Sequence, residues 1–313
     1  MTVHALRDQP PPDLARALAE FDARFSYPLG PDRSFHISHG EDYPRFFRAM
    51  GDARCFVAEK RGRVTGAIAV AIRTIRSPDG DERQAAYIGD LKVDPTLRGS
   101  LDFIRLAQAA DAWARPQVTA AYGVVMDGTR VSPETYTGRI GIPAFGVLGK
   151  IIVLRIATTN SSENNCGIAP SIQGEACYRA HARGCYSSSG GNAAERSEIE
   201  PVWLIHPAGL ACGRLEDTRR AKRLIDSDGQ EMLSAHLACF AWTTPRAGAD
   251  LIHAARWHAA TLGLPALFVA VPAGDIEALE SELGAVDKVI APATIYGAGL
   301  PGQGKWSVSS SEI

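Results

Sequence analysis

Three things are missing from this 313-residue chain, and each removes a class of function. No stretch approaches the roughly 18 consecutive apolar residues of a membrane-spanning helix, and the opening MTVHALRDQPPP has no apolar signal core. The protein is therefore expected in the cytoplasm and away from membranes. Charge of one sign is not in excess either: 33 Lys and Arg face 35 Asp and Glu, a formal net charge of −2. That balance argues against a nucleic-acid binder that tracks phosphates. The cysteines, at positions 55, 166, 177, 185, 212 and 239, form no CxxC pair and none of the short paired spacings that fold around zinc. They read as buried reduced thiols. His36 and His39 form an HxxH that on a helix would share a face, but without Cys or Glu partners at ligand spacing no metal site is expected.

What is present is an ordinary globular composition, 45% hydrophobic, and an internal repeat. Residues 55–93 form apolar, β-branched runs broken at ArgGlyArg and at ProAspGlyAsp, the pattern of a three-strand meander. Residues 202–242 break in the same way at HisProAlaGly and AspSerAspGlyGln, and Gly80 and Gly229 of the two second turns are 149 positions apart. After the first meander come AspProThrLeuArgGly, a helical pattern over 100–113 and an apolar strand over 120–126. After the second come ThrThrProArgAlaGly, a helical pattern over 250–262 and a strand over 267–271. Hairpin-linked strands are antiparallel, whereas a strand–helix–strand step makes a parallel pair. The expected fold is thus α+β: two units, 1–156 and 157–313, each a mixed, mostly antiparallel sheet flanked by helices. The polar segment 157–174 reads as the connection. SerSerSerGlyGlyAsn (187–192) reads as a loop of the second unit, without the LysSer or LysThr ending of a nucleotide P-loop.

The segment 87–105, YIGDLKVDPTLRGSLDFIR, carries the chemistry. A strand stops at Pro95, the chain turns through Arg98, Gly99 and Ser100, and a helix begins. The first N–H groups of a helix lack internal partners and attract an anion, and Arg98 adds a full positive charge. With Val93-x-Pro95 followed by Arg98 and Gly99, and with the hairpin VAEKRGRVTGAIAV (57–70) ahead of them, residues 13–156 resemble the GNAT acyltransferase superfamily. The resemblance implies that Arg98, Gly99, Ser100 and Leu101 hold the pyrophosphate of acetyl-CoA or another acyl-CoA. It also implies that the stretch Leu91, Lys92 and Val93 pairs through its backbone with the pantetheine arm as an added strand. The pattern departs from the family at Leu101 and Phe103, which are bulky where the family has small residues.

The same resemblance implies direct acyl transfer, with Tyr136 protonating the departing thiolate, a role a phenol with pKa near 10 suits. Asp90 is the candidate base. Period-two alternation puts Ile88, Asp90 and Lys92 on one face, where burial would raise the carboxyl into the working range, or where Asp90 and Lys92 would form a surface pair; both stay open. Glu59 is a weaker alternative. The second unit has no Val-x-Pro and no cationic turn, and is expected to be a degenerate copy. ArgArgAlaLysArg (219–223) is expected to be a solvated strand edge rather than an anion site. The ending KWSVSSSEI reads as a final strand whose Glu312 and terminal carboxylate are candidates to enter a site. The implied activity is an acyl-CoA-dependent N-acyltransferase, acetyl-CoA first, acting on a small-molecule or peptide amine, with a homodimer allowed. The alternatives are a GNAT-fold binding or interaction protein without catalysis, and a long-chain acyltransferase fed by acyl carrier protein.

Overall fold

A computed structural model of the protein describes residues 1–28, 33–97, 101–129, 131–139, 141–161 and 166–313. The first half runs β1 (Thr2–Leu6), α1 (Pro12–Asp22), β2 (Tyr27–Pro28), β3 (Ser34–Ser38), α2 (Arg45–Arg48), β4 (Asp52–Lys60), β5 (Arg63–Arg76), β6 (Glu82–Val93), α3 (Leu101–Ala114), β7 (Ala121–Met126), α4 (Pro133–Tyr136) and β8 (Gly146–Ala157). The second runs β9 (Gly167–Ala169), α5 (Ser171–His181), β10 (Cys185–Ser188), α6 (Ala193–Arg196), β11 (Val202–Ile205), β12 (Ala211–Glu216), β13 (Arg223–Asp226), β14 (Ala235–Trp242), α7 (Pro245–Thr261), β15 (Ala266–Pro272), α8 (Ile276–Leu283), β16 (Lys288–Ala298) and β17 (Lys305–Ser307).

The centre of the first half is written into β5. Ala67, Ala69 and Ala71 face one way, where Leu18 of α1 and Phe47 of α2 pack close; Ile68 and Val70 face the other, against Leu106 and Ala110 of α3. Small residues admit the aromatic side and branched residues fill the α3 side, so a strand covered on both faces is nearly continuously buried. α7 begins where sequence rules place it: Pro245 occupies the first turn and the Thr244 side chain accepts a hydrogen bond from Ala247 N at 3.3 Å. α7 and α8 cover β12, β14 and β15 on one face of the second half, and α5 covers the other.

One fourteen-stranded sheet carries both halves, in the order β1-β4-β5-β6-β7-β16-β8-β15-β14-β12-β11-β9, with β10 and β17 off this path. The order reads the same from both ends when each strand is exchanged for its counterpart in the other half. The strand that follows the crossover pair in each half lies beside the other half's crossover strand, β16 against β7 and β8 against β15. The two halves are interlocked rather than merely adjacent. β6 pairs parallel with β7, and β14 with β15, as the strand–helix–strand steps require.

Three details depart from the sequence reading. The second meander is β11–β12–β14; residues 217–234 form an excursion in which β13 leaves to pair with β3, making a separate sheet β13-β3-β2, so Gly229 turns the tip of that excursion. The HxxH lies on and just after strand β3, not on a helix. The segment taken as connection already contains β9 and the start of α5.

Candidate active site

The site begins with an irregularity in β6. Ala67 pairs with Lys92 and Ala69 with Gly89, so Asp90 and Leu91 together stand opposite Ile68, a β-bulge. Asp90 sits at φ 53, a left-handed conformation unusual for a residue with a Cβ. The bulge breaks the alternation: Ile88 and Leu91 pack on the α3 side, while Asp90 and Lys92 turn together toward α1. There Lys92 Nζ lies 2.8 Å from both Asp90 and Asp22, the Tyr43 hydroxyl donates to Asp90 at 2.5 Å, and His39 Nδ1 lies 3.0 Å from Asp22.

These contacts correct the expectation for Asp90. It is neither a surface partner of Lys92 nor a base with a raised pKa. Burial alone would lift its carboxyl, but the charges of Lys92 and His39 and the hydrogen bonds from Lys92 and Tyr43 hold it at about 2. A carboxylate that acidic accepts protons poorly near neutrality. The Lys92 side chain is buried in this cluster, which leaves its backbone alone for the pairing that the resemblance implies. Among the described residues, Asp22, His39 and Asp90 bring ligand atoms within 4.8 Å of one another, but the Lys92 ammonium already serves as their cation. Glu59 is bonded to His4 at 2.7 Å on the outer strands and does not line the cavity.

Just ahead of the bulge β6 and β7 part. Their parallel pairing spans only Ala86 with Ala121 and Tyr87 with Tyr122, and past it a cavity of about 690 Å³ passes through the sheet. On one side it is walled by Phe103, Ala107 and Ala110 of α3; on the other by Phe35 and Ile37 of β3 and Leu224 of β13. Leu91 lines it, on a stretch of β6 that β7 leaves unpaired, whereas Val93 lies outside the lining. Tyr136 lines it too, its ring edge-on to Phe103 at 5.5 Å. Burial, with the nearby Tyr296, pushes the phenol up to about 12, so it stays protonated. Bulky Phe103 is thus a wall of the cavity. Arg98, Gly99 and Ser100 lie outside the described residues, and of Leu101 only its place as the first residue of α3 is described.

At the inner end stand groups the sequence did not single out. Lys222, in the run expected to be a solvated edge, is 4% exposed, lies 4.3 Å from the centroid of the Phe46 ring, and donates to the backbone oxygen of Ile313. Burial, reinforced by Arg196 and Lys92 and opposed by Asp90, pushes its amine down to about 7. His236 stacks on Phe268 with centroids 5.1 Å apart and approaches Ser310 Oγ at 3.2 Å; burial holds it well below the usual imidazole range. The other basic residues of the run serve structure: Arg219 and Arg223 pair with Glu198 and Glu231. Nothing local in ArgArgAlaLysArg marks its Lys as the buried one; that follows from β13 crossing to β3.

The second half holds the same irregularity, closed. Cys212 pairs with Ala241 and Arg214 with Ala238, so Cys239 and Phe240 bulge opposite Gly213, and Cys239 sits at φ 49. Cys239 lies 149 positions after Asp90. Here the described residues close over the bulge. Ser309 Oγ accepts from Cys239 N at 3.1 Å, and a Cβ on Gly190 would fall 2.3 Å from Cys239 Sγ, so the GlyGly loop packs directly onto the bulge. Arg196 and Arg214 both donate to Gly190 O at 2.6 Å and bind Glu216, while Glu312 takes two hydrogen bonds from Arg73 at 3.0 Å. Glu312 therefore ends in this ion cluster, and Ile313 at the cavity. At the start of α7 the Thr244 side chain caps Ala247 N and the Trp242 ring lies against Gly248.

No family model matches the chain, and no curated protein matches it by sequence. Solved structures do match by shape. Saccharomyces cerevisiae N-myristoyltransferase with bound myristoyl-CoA superposes with a TM-score of 0.61 at 8% identity, over 94% of this chain and 82% of that one. A second structure of that enzyme with myristoyl-CoA gives 0.63 at 9% identity, over 96% and 80%. No helix among the described residues is long and apolar enough to cross a membrane. The mixed, mostly antiparallel sheet flanked by helices, the bulged strand and the parallel crossover are those of a GNAT-like fold, and that is the fold of this chain.

Proposed function

We propose that the protein is an acyl-CoA-dependent N-acyltransferase whose first half holds the thioester and whose cavity receives a long acyl chain rather than acetyl. The observation that carries this reading is the cavity: about 690 Å³, predominantly apolar, opening where β6 leaves β7. That volume suits a ligand of drug-like size, and a two-carbon group would leave most of it unfilled. Its position supports binding of pantetheine along the unpaired side of β6 at Leu91, with the carrier's phosphates at the turn before α3. That the similar N-myristoyltransferase structures hold myristoyl-CoA agrees with a long chain.

In this reading Lys222, with its amine at about 7, takes the proton from the acceptor amine. The nitrogen forms its bond to the thioester carbonyl carbon, the tetrahedral adduct collapses, and the carbon–sulfur bond breaks. Tyr136, at about 12, is too weak an acid to hand its proton fully to a thiolate whose thiol titrates near 8.5. It acts by hydrogen bonding to the sulfur as charge develops, and the proton held by Lys222 restores neutrality. Asp90 stays anionic throughout and fixes Lys92 and Tyr43 behind the bulge.

The test is thiol release from acetyl-, octanoyl- and myristoyl-CoA in the presence of a panel of small amines and amino-terminal peptides. Turnover that favours the longer donors and falls in Tyr136→Phe is expected. Absence of acyl-CoA binding and turnover for every donor would leave a binding protein without catalysis.

A further inference from the structure

One cation in the cavity wall has no hydrogen-bonded or ion-paired protein partner among the described residues. Arg155 of β8 lines the cavity, is half-buried, and its Nε is sealed from solvent without a hydrogen bond among the described residues. It forms no ion pair there. Asp287 attracts it from beyond salt-bridge distance, Arg33 adds positive charge nearby, and the guanidinium carbon lies 5.9 Å from the Phe268 ring centroid. An arginine keeps its charge in any such setting, and a buried N–H without a partner is costly. The buried arginines Arg73 and Arg214 of the sheet and Arg196 of α6 are each matched to a carboxylate.

Position gives this orphan a role. Arg155 is in register with Phe268 of β15, and Phe268 with His236 of β14, so the three cross the cavity floor in one line. At the spacing of neighbouring strands, about 4.8 Å, Arg155 stands two strands, roughly 10 Å, from the His236 backbone and hence from the Lys222 corner. It is on the side of the β13-β3-β2 sheet, away from α3.

We infer that Arg155 is the docking point for an anionic oxygen group of the acceptor, a carboxylate or phosphate carried on the same molecule as the amine to be acylated. With Nε sealed, the anion is taken at the two Nη groups of this half-buried side chain, whose side-by-side N–H bonds can meet two oxygens. The acceptor is then an amino acid, an acidic peptide end or an amino phosphate rather than a simple amine. This inference rests on the acyl-transfer reading.

The experiment compares glycine, 4-aminobutyrate and 6-aminohexanoate, each beside its neutral amide, and aminomethylphosphonate, with wild type, Arg155→Met and Arg155→Lys. Wild type is expected to show a KM about 10- to 100-fold lower for at least one anionic acceptor than for its neutral counterpart, the range set by charged hydrogen bonds. Arg155→Met should abolish that preference with kcat little changed and with no loss of thermal stability, since no protein carboxylate is orphaned by it. Arg155→Lys should restore it in part. Preference for carboxylates or for the phosphonate identifies the head group. Equal use of acids and amides by wild type, or an unchanged preference in Arg155→Met, overturns the inference. Should no amine be acylated at all, the acyl-transfer reading fails, and calorimetric titration with N-octanoylglycine against N-octanoylglycinamide still decides the anion site. Tighter binding of the acid that disappears in Arg155→Met sustains it, and equal binding of the two refutes it.

Discussion

The two bulges, Asp90 in β6 and Cys239 in β14, are the same device 149 residues apart with opposite outcomes. Each puts a non-glycine residue at positive φ just where a strand begins to part from its parallel neighbour. In the first half the strands stay apart and a cavity forms. In the second, three parallel pairs instead of two hold β14 to β15, and the GlyGly loop, Ser309 and the cluster of Arg196, Arg214, Glu216 and Glu312 fill the gap. A bulge alone therefore makes no site; what matters is what the rest of the chain places against it. The same backbone feature borders a cavity in one half and is packed over in the other.

The sharpest way to break this contrast is at the cavity's inner end. Lys222→Met is expected to lower kcat/KM by about 10²- to 10⁴-fold, the usual contribution of a general base. In wild type kcat/KM should climb as pH rises through about 7, because the proposed mechanism uses the unprotonated amine, and the variant should lose that step. A flat wild-type profile removes Lys222 as base. Next in size is the plug of the second half. Glu312→Gln leaves buried Arg73 and Arg196 without their anion and should cost about 3–5 kcal/mol in denaturant unfolding, while acyl-CoA affinity at low temperature is kept. Its sign with pH follows from its shift: burial would raise the Glu312 carboxyl, but Arg73 and Arg196 hold it below the usual glutamate value. Its stabilisation is complete above that ordinary value and is lost as pH falls through the lowered one, a dependence absent from the variant.

Tyr136→Phe should reduce kcat by about 10²-fold with the Kd for acyl-CoA unchanged, since the proposed mechanism has the phenol act on the departing sulfur. An equal loss in Kd would make the ring a wall and nothing more. The smallest effect belongs to the mirror position. Cys239→Ser keeps the side chain's size, and its thiol, raised to about 11 by burial, is un-ionised at neutral pH; stability should change by about 1 kcal/mol or less and turnover not at all. Loss of activity there would mean that the second half takes part in the chemistry.

The sequence announced the first meander and the crossover helices because apolar alternation, turn residues and caps act over a few positions. Asp90 and Leu91 were legible as residues of interest, but the bulge was not: one extra residue shifts every later side chain to the other face, and an Asp at φ 53 carries no composition signal. Lys222 and Arg155 were hidden for a different reason. Each acquires its meaning from partners at long range, β13 crossing to β3 for the first and β8 lying between β15 and β16 for the second. The strand exchange that interlocks the halves is likewise a matter of pairing, which local pattern does not determine.

The central claim is that the opening behind the first bulge, and not its filled counterpart, takes the acyl chain. Calorimetric titration of the protein with acyl-CoA thioesters from two to fourteen carbons tests it most directly. At about 0.8 kcal/mol per buried methylene, affinity should rise roughly fourfold with each added carbon until the cavity is full, and an Ala107→Leu substitution in its wall should shorten the preferred chain. Affinity that ignores chain length, or no binding even for the longest thioester, would contradict it.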